Sequence, residues 1–346
     1  MVADETLFGL IHDFFKVYLP KLKKNSNHTI RSYRKAMDSL LEFVKHEKNV
    51  ELSQITFEMI DAKMLTKFLN HLEQQGNCVT TRNLRLNSIK SFYSYAAAMN
   101  AEVVVHSAAI AKVPCAKTPK VRQVDYLSET AVKTLLEQPN PLVPKGLRDF
   151  FFLLLMYDTG ARIQEVLGLR INDITRGKMV SASLHGKGDK IRTVPLMEST
   201  ALHLENYLRH FHPNQSKYSD AHLFYTVQHN HISPLSDSAA RKLVRQYGDK
   251  AKSICIEIPD IVHPHLLRHS RAMHLYQHGM DLTLIQQWLG HSHLETTYIY
   301  AYADTEQKCK AMEVSISKDG PLSVRRNPAR FTLNDDETIK KLYGLM

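Results

Sequence analysis

"IQQWLGHSHLETTYIYAYAD", residues 285–304, is the stretch whose reading decides how the second half of this chain folds and what it does. Tyr298, Tyr300 and Tyr302 alternate, and alternation by itself describes a half-buried strand with three aromatic side chains on one face. The stretch follows "GHSHLE", however, where a strand gains little. On a helix, residues two apart do not share a face, so only one of the three tyrosines could point at a given target. Trp288, the single tryptophan, reads as core packing.

Working outward, "HPHLLRHSRAMHLYQHG" (263–279) opens a helix with Pro264 at its first position, where the missing N–H costs nothing. His265 and Arg268 are three apart and share a helical face. His265 and His269 are four apart, the spacing of a zinc-binding H-E-x-x-H helix, but Leu266 stands where that motif needs its glutamate. No metal site is expected. His269, His274, His278 and His293 read as hydrogen-bonded structural or surface histidines. Further upstream lie "TGARIQEVLGL" (159–169) and "GKGDKIRTVPL" (186–196). The second sits in "KMVSASLHGKGDKIRTVPL", where period-2 apolar residues flank a turn-rich centre, the pattern of a β-hairpin.

Taken in order and spacing, these four segments resemble the catalytic boxes of the tyrosine recombinases, or phage integrases, over about residues 126–304. The resemblance implies a mainly α architecture: a helical-bundle N-terminal DNA-binding domain, then an α+β catalytic domain with a small antiparallel sheet. It matches Arg162 to the first catalytic arginine, Glu165 to the acidic residue one turn later and Lys187 to the hairpin lysine. His265 and Arg268 match the H-x-x-R pair, and His291 the histidine of "LGH". The nucleophile follows that histidine by nine residues in most members, which selects Tyr300 and makes its segment helical.

The chemistry accounts for these residue types. Attack on a DNA phosphodiester builds negative charge in the transition state. Metal enzymes meet it with two ions, whereas two guanidiniums, Arg162 and Arg268, can grip the non-bridging oxygens instead. A phenol with an ordinary pKa near ~10 needs a base, for which His265 is the better-placed candidate. Lys187 can protonate the 5′-oxygen leaving group, His291 can hydrogen-bond the phosphate, and Glu165 can brace the arginine and histidine. A phosphotyrosine ester keeps the energy of the broken bond, so resealing needs no ATP. That agrees with the lack of a G-x-x-x-x-G-K-[ST] loop, and no cofactor is expected.

Residues 5–100 read as four or five helices. "HTIRSYRKAMDSLLEFVKH" carries an Ile30–Tyr33–Met37–Leu40–Leu41–Val44 stripe, capped by Ser26 or Asn27. "TTRNLRLNSIKSFYSYA" carries Leu84, Leu86, Ile89, Phe92, Tyr93 and Ala96, with Arg82, Arg85 and Lys90 on the other face as candidate DNA contacts. After Ala101 the apolar period fades into "AKVPCAKTPKVRQ", an extended basic linker whose Lys120 and Arg122 could follow a phosphate backbone. The expected division is 1–105 core-type helical domain, 106–124 linker, 125–315 catalytic domain and 316–346 tail. The tail ends in a short helix, with Ile339, Leu342 and Tyr343 on one face, able to dock in cis or on a neighbouring subunit.

Composition agrees. The 346 residues include 45 Lys plus Arg against 35 Asp plus Glu, a formal net charge of +10. Residues 1–124 hold 18 basic and 11 acidic residues, an excess of seven. A basic chain of this kind favours a polyanion. The four cysteines are scattered and suggest neither zinc ribbon nor disulfide framework. The N-terminus has acids where a signal peptide needs cations, and the longest apolar run, Phe150–Tyr157, falls well short of the ~20 residues that span a bilayer. The expectation is a cytoplasmic, nucleoid-associated site-specific recombinase of the Xer-like or transposon type, without an arm-binding domain. It would act as a homo-tetramer on two duplex DNA sites, with room for accessory DNA-bending factors. The competing readings are a type IB topoisomerase-like enzyme and a DNA-binding protein with a dead site.

Overall fold

The computed structural model describes residues 5–118, 125–186, 188, 190–228, 231–303 and 340. The chain divides into two compact units, Met1–Lys120 and Val121–Met346.

The first unit is helical. α1 (Glu5–Asp13) runs on into a π-helical stretch, Phe14–Leu22, that contains Pro20. α2 (Asn27–Lys48) starts where Ser26 Oγ accepts the Thr29 N–H, and α3 (Ala62–Gln74) where the Asp61 carboxylate accepts that of Met64. α4 (Val79–Met99) is the central helix, packed by α1, α2, α3 and α5 (Val104–Ala111). Its surroundings overturn the simple stripe. Leu84 is exposed, while Arg82 and Ser88 are buried. Enclosure on several sides removes the polar face that a two-sided helix would keep. The three candidate DNA contacts on α4 are engaged within the unit. Arg82 pairs with Glu73 at 2.7 Å, Arg85 donates to Ser39 Oγ at 3.2 Å, and Lys90 donates to the Ala111 and Val113 carbonyls at 2.9 and 2.6 Å.

That last contact explains a second difference. Residues 106–111, expected to begin the extended linker of 106–124, are helical as part of α5. Ile110 and Val113 enter the core beside Ile89 and Phe92, and the Lys90 ammonium satisfies carbonyls at the helix end. Lys120 and Arg122 lie outside the described residues, as does the tail with Ile339, Leu342 and Tyr343.

The second unit is α+β. α6 (Glu129–Leu136) is capped by Ser128, whose Oγ accepts the Ala131 N–H. α7 (Pro144–Thr159) begins at a proline and stops at Gly160 in left-handed conformation, φ 58°. The short α8 (Ile163–Gly168) follows. β1 (Ile174–Thr175), β2 (Ser181–His185) and β3 (Ile191–Pro195) form an antiparallel meander in which Ala182 opposes Val194 and Leu184 opposes Arg192. The β2–β3 hairpin is the one the sequence pattern marks. α9 (Glu198–Phe211) and a second hairpin, β4 (Tyr225–Gln228) with β5 (His231–Pro234), follow; that second hairpin carries no clear period in the sequence. α10 (Asp237–Lys252), α11 (Pro264–Gln277), α12 (Leu282–Leu289) and α13 (Glu295–Ala303) complete the described part. The three tyrosines of the opening stretch thus lie on a helix. One large core gathers Phe151, Phe152, Tyr207, Phe224 and Leu267. A smaller one gathers Met273, Ile285, Leu289 and Tyr300, with Trp288 against both. Each such side chain contributes roughly 1.5–3 kcal/mol of burial. α11 packs on α7, α12 and α13, and α12 touches β3, which brings four distant sequence boxes together.

Candidate active site

Arg162 is the N-cap of α8. Its backbone N–H donates to Glu165 Oε2 at 2.8 Å and its Nη1 to Oε1 at 2.9 Å, leaving the guanidinium partly open to solvent. Glu165 itself is buried, and a second cation reaches it: Arg192 Nη1 and Nη2 bind Oε1 and Oε2 at 2.9 and 2.7 Å. Burial alone would raise the Glu165 carboxyl, but the hydrogen bonds and charge of Arg192, then those of Arg162, outweigh it and hold the pKa down to about 2. Arg192 also donates through Nε to the Trp288 carbonyl at 2.8 Å, tying β3 to the end of α12.

Arg268, on α11, is almost wholly buried. Nη1 donates to the Gly160 carbonyl and Nη2 to the Leu289 carbonyl, each at 2.8 Å. One guanidinium thus satisfies open carbonyls at the C-terminal ends of α7 and α12, the poles where a cation is favoured. Burial, with Arg162 close by, lowers its pKa to about 10, so it stays charged at neutral pH.

His291 begins the loop after α12. Its N–H donates to the Gln286 carbonyl at 3.1 Å, and its Nδ1 sits 2.9 Å from Thr297 Oγ1. Burial, then Arg268 and Arg162, push its pKa down to about 4, so the ring is neutral. A cleft of about 390 Å³ between the hairpin and this loop is lined by Arg162, Lys190, Arg192 and His291. Two arginines and a lysine line it, and the one carboxylate beside them, Glu165, is bound by both arginines, a balance that favours an anion.

Tyr300 is fully buried, whereas Tyr298 is 41% exposed. Burial pushes the Tyr300 phenol up to about 12, partly offset by Arg268 and Arg162. Its hydroxyl lies 2.9 Å from His269 Nδ1, so the histidine in contact with it is not the base candidate chosen from sequence. His265 keeps an exposed ring at the start of α11, where partial desolvation and then Arg268 push its pKa down. Lys187 lies outside the described residues.

The structure therefore gathers Arg162, Glu165, Arg268, His291 and Tyr300 around α11 and adds three residues that sequence reasoning passed over. Arg192 could have been found: it shares the inward face of β3 with Val194, and a cation on a core-facing position needs a carboxylate. His269 could have been found from its four-residue step to His265. Thr297 carries no such signal.

Residues 125–307 match the family model described as Phage integrase family, and residues 12–100 match Phage integrase, N-terminal SAM-like domain. An integrase/recombinase of Sinorhizobium fredii, y4rC, is 34% identical over 339 residues, covering 97% of this chain and 98% of that protein. Tyrosine recombinase XerD of Staphylococcus epidermidis is 31% identical over 287 residues, 82% of this chain and 90% of its own length. In fold, the chain is similar to XerH site-specific recombinase in a pre-cleavage complex with its difH substrate, with a TM-score of 0.63 at 22% identity over 90% of each chain. Two family models laid end to end along the sequence, and relatives matched over most of their length, make this chain a member of the phage integrase family.

Proposed function

We propose that the protein is a site-specific DNA recombinase that cuts and rejoins duplex DNA through a 3′-phosphotyrosyl intermediate, with Tyr300 as nucleophile. The observation that carries this reading is the buried Tyr300 hydroxyl, close enough to Arg268 and Arg162 for both charges to favour its ionisation against the effect of burial. Arg162 and Arg268 would grip the non-bridging oxygens, which become more negative in the transition state, with donors already in place. His265 and the neutral His291 are suited to hydrogen-bond the same phosphate. Glu165, shared between Arg162 and Arg192, would hold Arg162 in its rotamer rather than move protons. Lys187, which falls between β2 and β3 in the sequence, would protonate the 5′-oxygen as it leaves. The homo-tetramer on two sites and the cytoplasmic, nucleoid-associated location belong to the same proposal.

The test is covalent capture. The protein is incubated with a nicked duplex library of randomised sequence, denatured, and the DNA attached to it is sequenced. An adduct through a 3′-phosphate is expected, lost in Tyr300→Phe and retained in Tyr298→Phe. An adduct that survives Tyr300→Phe would remove Tyr300 from the role.

A further inference from the structure

The family's H-x-x-R histidine, His265, sits at the mouth of α11 with its ring exposed. One helical turn on, His269 turns inward. Its Nδ1 lies 2.9 Å from the Tyr300 hydroxyl, with the two rings 5.9 Å apart and tilted by 56°. Both side chains are carried by packed helices, α11 and α13, and Tyr300 has no exposed surface. A buried nucleophile of this kind passes its proton most directly to a neighbour that reaches it, and without one the reaction falls back on the small phenolate fraction in equilibrium with solvent.

We infer, on the recombinase reading above, that His269 is the group that receives the Tyr300 proton. As the phenolic oxygen bonds to phosphorus, its proton passes to His269 Nδ1. The bond from phosphorus to the 5′-oxygen breaks, and that oxygen takes a proton from the acid assigned to Lys187. Rejoining runs the same transfers in reverse, with His269 returning the proton to Tyr300. The transfer accompanies bond formation, because the phenol becomes acidic only as its lone pair is drawn to phosphorus.

The surroundings keep His269 ready to accept. Burial is the main cause, and the charges of His265, Arg268 and His263 on or before α11 act with it, against Asp125 from the segment preceding α6. Its pKa falls to about 4, so the ring is uncharged at neutral pH, and in the tautomer that carries its proton on Nε2 the Nδ1 atom accepts from the Tyr300 hydroxyl. His291, in the loop after α12, is the other titratable ring that feels His269, and it is held neutral in the same way. A phosphate between Arg162 and Arg268 would compensate two of the cations around these rings and strengthen His269 as a base at the moment it is needed.

The experiment uses the duplex recovered by covalent capture and follows single-turnover adduct formation between pH 7 and 9. The unaltered protein should give a flat profile, since its base is already deprotonated. His269→Asn keeps an acceptor oxygen near the place of Nδ1 but cannot take a proton. It should bind the duplex normally, form adduct about 10²–10⁴-fold more slowly at pH 7, and speed up about tenfold per pH unit as the phenolate fraction grows. His265→Asn should keep the flat profile. A His269→Asn rate equal to or above that of the unaltered protein, or a uniform slowing with no change of slope, overturns the assignment, as does a steep slope that appears in His265→Asn instead. Should His269→Asn not fold, a tenfold-per-unit rise in the unaltered protein overturns it equally. Failure of the recombinase reading would show separately, as absence of any adduct or an adduct that survives Tyr300→Phe.

Discussion

Both carboxylate oxygens of Glu165 are held by the single guanidinium of Arg192, at 2.9 and 2.7 Å, while Arg162 donates two more hydrogen bonds to them, from its backbone N–H and from Nη1. A buried anion between two cations is stable only while it is an anion. Glu165→Gln would keep the shape, remove the charge and turn an amide N–H₂ toward a guanidinium. Removing one partner of a buried pair costs about 3–5 kcal/mol, so a clear fall in melting temperature of the catalytic unit is expected. The pH dependence follows from the same contact. The folded-state pKa of Glu165 is depressed to about 2, so the stabilisation it confers is fully present above the ordinary carboxyl range and fades as the pH falls from there toward about 2. Urea titrations at stepped acid pH should show this limb in the unaltered protein and a shallower one in the variant. Identical limbs would mean that Glu165 is not the charge-bearing partner.

Two glycines give a matched pair. Gly290 has φ 66°, and a Cβ there would lie 3.0 Å from both Cδ and Nη1 of Arg192. Gly248, on α10, is free of that conformational demand, but its Cβ would fall 2.4 Å from Cβ of Val262. Gly290→Ala combines left-handed backbone strain of about 1–2 kcal/mol with displacement of Arg192, and should slow adduct formation even in molecules that are folded. Gly248→Ala overpacks a core, at about 1–3 kcal/mol, and should lower the melting temperature while leaving the rate per folded molecule unchanged. Equal rates for the two variants, corrected for folded fraction, would deny Arg192 any part in shaping the site.

The salt dependence of DNA binding separates structure from recognition on α4. Each phosphate contact contributes a slope of about 0.9 in log K against log salt. Arg82 is buried against Glu73, so Arg82→Ala should destabilise the N-terminal unit and leave that slope as it was. A slope reduced by about one, with unchanged stability, would return Arg82 to the DNA-facing set.

The parts of this molecule that were legible in sequence are those fixed by local chemistry. Ser26 and Pro264 mark helix starts because a side-chain cap and a proline ring act within a few residues. The boxes that carry Arg162, Glu165, Arg268, His291 and Tyr300 could be picked out because they keep order and spacing, and the packing of α11 on α7, α12 and α13 brings them together. What was not legible depends on packing between distant segments. Alternating tyrosines imitate a strand until α11 and α12 cover one face of α13 and leave Tyr298 outside. Arg82 looks like surface charge until α4 is enclosed, and α5 has no apolar period of its own because Lys90 and the core of the unit hold it from one side. His269 reads as structural because its four-residue step from His265 does not say that Tyr300, thirty-one positions later, is the residue it meets.

Arg268 has a thermodynamic consequence beyond its charge. A free arginine carries about 2 kcal/mol of rotamer entropy, which an ordinary surface side chain must surrender when it captures an anion. Here two carbonyls, at Gly160 and Leu289, hold the fork in place before any DNA arrives. Two of its five N–H groups are used, and the other three keep a fixed direction. On the proposed recombinase reading, anion capture at Arg268 would be a rigid-receptor event whose ordering cost was met when the chain folded. The same contacts make the ends of α7 and α12 answerable to one side chain, so a phosphate pulling on Arg268 would pull on the helix that carries Leu289 and the loop that carries His291.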